Sequence, residues 1–480
     1  MKKLIATFLL ISMLAVISCG VTGTQDETTS DYTTAVSTTS DTTIGRDTPD
    51  FEKTDFGGAE FTILGFEFDF YDKYFFAEEQ NGERMNDAIY ERQIKTEDYL
   101  GVKFNIAKAT AFDTVLPTLQ QSIAAGDDKY QLVLPHCISG ISSMVSDGML
   151  YDVNNIADID LSKDYYNHNV NENLSLNGRN YYFVSDYMIC NPNCVLFNKQ
   201  LVSDFKLDDP YQLVYDGRWT FDKMYEMGHA VAGDISGDGT IDINDRFGLT
   251  GEGDWMLNSI LYACGLKLAE KTNNGFKLGI NNEKTVHIIE QLHNELSGNS
   301  VYLWKINDNK ENMLQIDSGR TLFQLYPLYK IYDFRDSAVD YGVLPYPKYD
   351  EAQEKYLSND WSSLMCIPIS ITNPEMVGKV IEYLSYISND TTIPAYYGIT
   401  LSGKLARDEN SSKMMDIIFD NIVFDAGMNY WGFDSNMMGL FYVLPMLVVQ
   451  NGSTDFASWY KTYADGAQAT MDKFVANLPD

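Results

Sequence analysis

Apolar and polar positions first take an ordered spacing at "EFTILGFEF", where the run around Phe61 to Phe66 predicts a strand. The next stretch, "GERMNDAIYERQIKTEDYLGVKFNI", changes period and predicts a long amphipathic helix, a stop at Gly101 and a second strand. "AFDTVLPTLQQSIAAGDD" predicts another helix despite Pro117, and "YQLVLPH" a buried strand. Strands alternating with helices predict an α/β lobe with a largely parallel sheet. Further along, "FDKMYEMGHAVAG" sets Phe221, Met224, Tyr225, Gly228 and Val231 on one helical face, with Thr220 as N-cap. "RFGLTG" then predicts a strand.

The first residues follow a different pattern. Lys2 and Lys3 precede a mostly apolar run from Leu4 to Ile17, shorter than the roughly 20 residues that span a bilayer. Residues 1–19 therefore read as an export signal. "AVISC" resembles the bacterial lipoprotein signal, which makes Cys19 the lipidated mature N-terminus. Residues 20–50 are rich in Thr, Ser and Asp and poor in apolar side chains, so they are expected to form a solvated tether. The globular part is then held at the extracellular face of a membrane through a lipid anchor.

Between the predicted Phe221 helix and the "RFGLTG" strand lies "DISGDGTIDIND", residues 234–245. Asp234, Ser236, Asp238, Thr240 (by its carbonyl), Asp242 and Asp245 occupy positions 1, 3, 5, 7, 9 and 12 of a calcium loop, and Gly239 occupies the sharp-turn position 6. A single loop without a paired partner or an exit helix predicts a structural Ca²⁺ clip. Ser236 and the short Asp245 are weaker donors than a tight sensor uses.

Composition narrows the function. The net charge of −33 argues against a nucleic-acid partner, which needs a basic surface. At 480 residues, two or three domains are expected. The 32 Tyr and 25 Phe suit either aromatic-rich cores or a cleft that stacks on sugar rings. Cys137, Cys190, Cys194, Cys264 and Cys366 are an odd set, expected to be mostly buried thiols, with a Cys190–Cys194 disulfide left open.

Six segments in order, "AGDDKYQLVLPH", "VLFNKQLVSDF", "GRWTFDKMYEMGHAV", "DSGRTLFQLY", "DYGVLPYPKYDEAQEKY" and "AYYGITLSGKLARDENSSKMMDII", resemble the extracellular solute-binding proteins (family 1) of bacterial ABC importers. The resemblance covers roughly Phe51 to the C-terminus. It implies a two-lobed periplasmic-binding-protein-like α/β fold of type II, with discontinuous lobes joined by a hinge. The first lobe is expected at 51–190 and 312–362, and the second at 191–311 and 363–480, including the calcium loop. The resemblance further implies a monomeric receptor that closes on a small solute, a carbohydrate or oligosaccharide, and delivers it to ABC permease subunits. Trp255, Tyr326, Tyr329, Trp361 and Trp431 are its candidate ligand platforms. His136, at the end of a strand, and Asp186, at the first crossover, are candidate polar contacts.

Two other classes suit the same features. A surface glycan-binding or sensory receptor would use the same anchor and cleft. A glycoside-active enzyme would use paired carboxylates, but no G-x-S-x-G elbow, H-E-x-x-H helix or phosphate-binding glycine loop occurs. The reading is therefore non-enzymatic.

Overall fold

In the computed structural model, which describes residues 47–67, 74–251, 255–297, 302–303, 316–334, 336–400 and 408–479, the opening strand is β1 (Ala59–Phe66). It runs parallel to β2 (Val102–Ala109) over its whole length, with Ala59 opposite Val102 and Phe66 opposite Ala109. On its other side lies the short parallel strand β3 (Leu132–Val133). The Arg84–Leu100 helix makes the crossover from β1 to β2 and stops at Gly101, whose φ of +60° admits no side chain without strain. Arg92, buried on this helix, donates to the carbonyls of Tyr74, Phe75 and Tyr187. Its guanidinium also lies 4.4 Å from the centre of the Tyr187 ring, so one side chain ties the helix to the segment that leaves this sheet.

The second sheet has five strands. β4 (Asn193–Asn198), β5 (Phe247–Gly251), β8 (Tyr302–Leu303), β9 (Thr321–Pro327) and β10 (Tyr341–Leu344) are ordered β10-β4-β9-β5-β8. β4 is antiparallel to both β9 and β10, whereas β5 is parallel to β9. A hairpin of β6 (Ala269–Thr272) and β7 (Gly275–Leu278), and the parallel pair β11 (Ser358–Asn359) and β12 (Ile422–Val423), complete the strands among the described residues. The Phe221–Val231 helix is capped by the Thr220 hydroxyl, which accepts the Lys223 N–H. It meets β5 backbone to backbone at Gly228 and Gly248, where a Cβ on Gly248 would overlap the facing peptide.

The assignment of segments to sheets differs from the expected division. Residues 321–327 and 341–344, expected in the first lobe, are strands of the second sheet. All seven residues of β9 are buried, and β4 and β5 pair with both its edges. Residues 363–368, expected in the second lobe, bridge to the first: Ser363 pairs with His136, Met365 with Phe183, Cys366 with Val133 and Pro368 with Leu150. The Pro374–Ser388 helix then packs on the Arg84–Leu100 helix, and the Glu409–Asp420 helix on β10. The chain thus returns to the first sheet just after Trp361, and from Glu409 it packs on the second.

All five cysteines among the described residues are buried free thiols. Cys190 and Cys194 face separate apolar clusters, so no bond joins them. No described helix is long and apolar enough to cross a membrane. Cys19, the signal sequence and the tether up to residue 46 lie outside the described residues.

Candidate functional site

The carboxyl ends of the three parallel strands, where open α/β sheets place ligands, converge on a cleft of about 490 Å³. Phe66 ends β1, Phe112 follows β2 and His136 follows β3. Asn191 and Trp361, from the two crossover segments, also line it. The second sheet contributes Tyr329 and Lys330, just beyond β9. The Trp255–Ala263 helix supplies Asn258 and Tyr262, and the C-terminal helices and the turn between two of them supply Met428, Phe433, Met437, Met438, Phe441 and Tyr442.

Aromatic rings run across this cleft in sequence. His136 lies 6.1 Å from Phe66 and 5.6 Å from Phe112. Phe112 in turn stacks on Phe433 at 5.7 Å, with the ring planes 9° apart. Gly432 makes this approach possible: a Cβ there would meet the Ile138 side chain at 2.7 Å and the Met428 carbonyl at 2.6 Å. Trp361 stands edge-on to Tyr442 at 6.1 Å. Burial lowers the His136 pKa to about 4, so the imidazole is neutral at neutral pH.

The walls are fixed from behind. Buried Asp425 accepts the N–H groups of Leu268 (2.8 Å), Gly427 (3.0 Å) and Ala269 (3.3 Å) and the Tyr262 hydroxyl (3.1 Å). It thereby joins the Trp255–Ala263 helix, β6 and the Ala426–Trp431 helix. Desolvation raises its pKa, and these four donors work against that rise. The Asn258 amide, oriented to suit its neighbours, donates to the carbonyls of Phe441 (3.1 Å) and Tyr442 (3.0 Å). Those carbonyls belong to a π-helical turn, Gly439–Val443, a form common at functional sites. The Asn191 N–H donates to Asp360 (2.7 Å) and to the Ser362 hydroxyl (2.8 Å), pinning the two crossovers together.

Three of the expected ligand residues, His136, Tyr329 and Trp361, line this cleft. Tyr326 does not: it is 2% exposed within β9 and packs on Phe334 at 5.1 Å. Trp431 also points away, wedged between Phe276 and Phe474 at 5.3 Å from each. All six residues of its helix are buried, and the chain reaches the cleft two positions later, at Phe433. Asp186 bonds to the Tyr165 carbonyl through its N–H and accepts from the Asn389 amide, outside the cleft lining. Trp255 begins its helix, and its side chain lies outside the described residues. Phe66, Phe112 and Asn191 could have been found by applying the strand-end and crossover rule to more than His136 and Asp186. Phe433 and Tyr442 carried no such signal.

None of the residues of the Asp234–Asp245 loop lines the cleft. The loop joins the Phe221–Val231 helix to β5 and is anchored by Arg246, whose Nε donates to the Val231 carbonyl at 2.6 Å. Asp234 accepts the N–H groups of Gly237 (2.6 Å) and Gly239 (2.9 Å). Asp245 accepts those of Asp242, Ser236 and Ile235 at 2.9–3.0 Å, and these bonds lower its pKa. Gly239 has φ of +81°, as the turn position requires. Among the described residues no three Asp, Glu, His or Cys side chains converge as a metal cage. The donor set is all hard oxygen, which in type fits Ca²⁺.

Neither a protein-family model nor a curated protein matches the sequence. Solved structures do match in fold. The ABC substrate-binding protein Lmo0181 from Listeria monocytogenes, in complex with cycloalternan, has 15% identity and a TM-score of 0.56 over 86% of this chain and 99% of its own. UgpB from Mycobacterium tuberculosis, in complex with glycerophosphocholine, has 14% identity and a TM-score of 0.58 over 88% and 99%. The maltose-binding periplasmic protein MalE from Listeria monocytogenes, in complex with maltose, has 16% identity and a TM-score of 0.57 over 88% and 99%. The chain has the two-lobed, periplasmic-binding-protein-like α/β architecture of these proteins.

Proposed function

We propose that this chain is a lipid-anchored extracellular receptor that captures a carbohydrate or oligosaccharide and hands it, chemically unaltered, to the permease subunits of an ABC importer. The observation that carries this reading is the row of rings Phe66, His136, Phe112 and Phe433 in a cleft that the crossover residues Asn191 and Trp361 also line. Aromatic faces stack on the apolar faces of sugar rings, and a few fixed polar groups set orientation. Segments that cross between sheets at a cleft are where a hinge acts, so closure around the solute is the signal passed on. The solutes named for Lmo0181 and MalE support the carbohydrate class. Cys19 carries the lipid, residues 20–50 form the tether, and the receptor acts as a monomer. The Asp234–Asp245 loop binds Ca²⁺ as a clip on the helix-to-strand connection, since its donors are the oxygens that ion takes.

Thermal unfolding of the full chain against a panel of mono- and oligosaccharides tests the receptor reading. A ligand at 100 times its dissociation constant stabilises the bound form by about 2.7 kcal/mol, a shift of several degrees. A folded protein that responds to no sugar would rule the carbohydrate reading out. In the same preparation the chain should sediment with membranes, and Cys19→Ala should release it. Sedimentation of that variant with membranes would remove the lipid anchor from the proposal.

A further inference from the structure

We infer that the solute carries an aromatic group beside its sugar, as in a glycoside with an aryl aglycone. The inference rests on the receptor reading and narrows its ligand class. A sugar ring presents several hydroxyls, and each one buried without a partner loses affinity. Among the described lining residues there is no carboxylate and no guanidinium, the groups best able to pair with hydroxyls two at a time. Three polar side chains in the lining are committed to holding it. The Asn258 amide serves the Phe441 and Tyr442 carbonyls, the Tyr262 hydroxyl serves Asp425, and the Asn191 side-chain oxygen accepts the Tyr329 N–H at 3.3 Å.

The rest of the C-terminal wall is soft and apolar. Met428, Met437 and Met438 line it beside Phe433, and thioethers adapt to an aromatic ring at favourable contact. Phe433 is 47% exposed although it belongs to a cleft wall and stacks on Phe112. A half-exposed phenylalanine facing flexible methionines offers a second aromatic ring an offset-stacked place. A second sugar ring there would gain stacking and lose its hydroxyls' water. The sugar itself then lies toward Asn191, Tyr329 and Lys330 at the crossover end.

Calorimetric titration of the full chain with the phenyl and methyl glycosides of glucose, galactose, mannose and xylose tests this. Each phenyl glycoside that binds should do so about tenfold more tightly than its methyl counterpart. Phe433→Ala should bring each phenyl-to-methyl ratio to within about twofold of one. Equal affinity within the pairs overturns the aryl inference and leaves the receptor reading standing. A phenyl advantage that Phe433→Ala leaves intact overturns the assigned place of the ring. No binding by any member, from a folded protein that responds to the oligosaccharide panel, overturns the aryl inference alone.

Discussion

His136 sits between Phe66 and Phe112, and its surroundings decide its protonation. Its pKa falls from 6.5 to about 4 because burial disfavours the imidazolium. The folded state therefore binds fewer protons than the unfolded chain between these values. By linkage the contribution is fully present above pH 6.5 and is lost as pH falls through about 4. His136→Phe keeps the ring and removes the titration. Wild type should lose roughly 2 kcal/mol more than this variant between neutral pH and pH 4, measured by urea unfolding at both. Parallel pH profiles for the two proteins would show that the ring is solvated. His136 was visible in the sequence because it ends a short apolar strand. Phe433 was not, because which residue of "NYWGF" faces the cleft depends on where a six-residue helix ends. Trp431 falls inside that helix, where the apolar neighbours Phe276 and Phe474 claim it.

At the scale of elements, local signals held where they were chemical. Gly101 stops its helix by taking a left-handed conformation, and the Thr220 hydroxyl caps the next one discussed. The loop at 234–245 was legible in the same way, since its turn is held largely from within, by Asp234 and Asp245. Which sheet a strand joins is a different kind of fact. β9 is mostly apolar and buried along its length, and such a run fits the middle of either sheet. Only β4 and β5 on either side decide it, and they draw residues 321–327 into the second sheet. The loop itself carries a prediction. Asp238 is exposed and accepts only the Thr240 N–H among its described bonds, whereas Asp245 holds three N–H groups from within. Asp238→Ala should thus leave the calcium-free melting temperature nearly unchanged and abolish the rise that calcium gives wild type, by about 2–3 kcal/mol at saturating ion. A wild type whose melting is the same in calcium and in chelator would leave the loop a polar turn.

At the scale of the molecule, the closure proposed for this receptor would depend on contacts away from the solute. The His168–Leu174 helix belongs with the first sheet through Asn167, whose N–H donates to the Val184 carbonyl next to the Phe183–Met365 bridge. Its C-terminal end is met by groups from the hairpin and the C-terminal helices. Lys271 donates to the Glu172 carbonyl (2.6 Å) and the Ser175 hydroxyl (3.0 Å), and Tyr430 to the Leu174 carbonyl (2.6 Å). Lys267 donates to Asn173 at 2.7 Å, and Arg179 reaches the Pro479 carbonyl at 2.6 Å. A cation placed on the last carbonyls of a helix is favourable. Leu268, one residue before β6, lines the cleft, so this contact lies beside the ligand's place while touching none of it. A receptor whose competent form is only partly populated binds with its affinity reduced by that fraction. Losing the bonds of Lys271, worth about 1.5 kcal/mol together, should therefore shift the free protein toward an open form. Lys271→Ala should enlarge the radius of gyration of the ligand-free chain by X-ray scattering. It should also weaken sugar binding up to about tenfold, with the same radius as wild type once saturated. If both radii and the affinity stay at wild-type values, this contact holds the surface together without biasing closure.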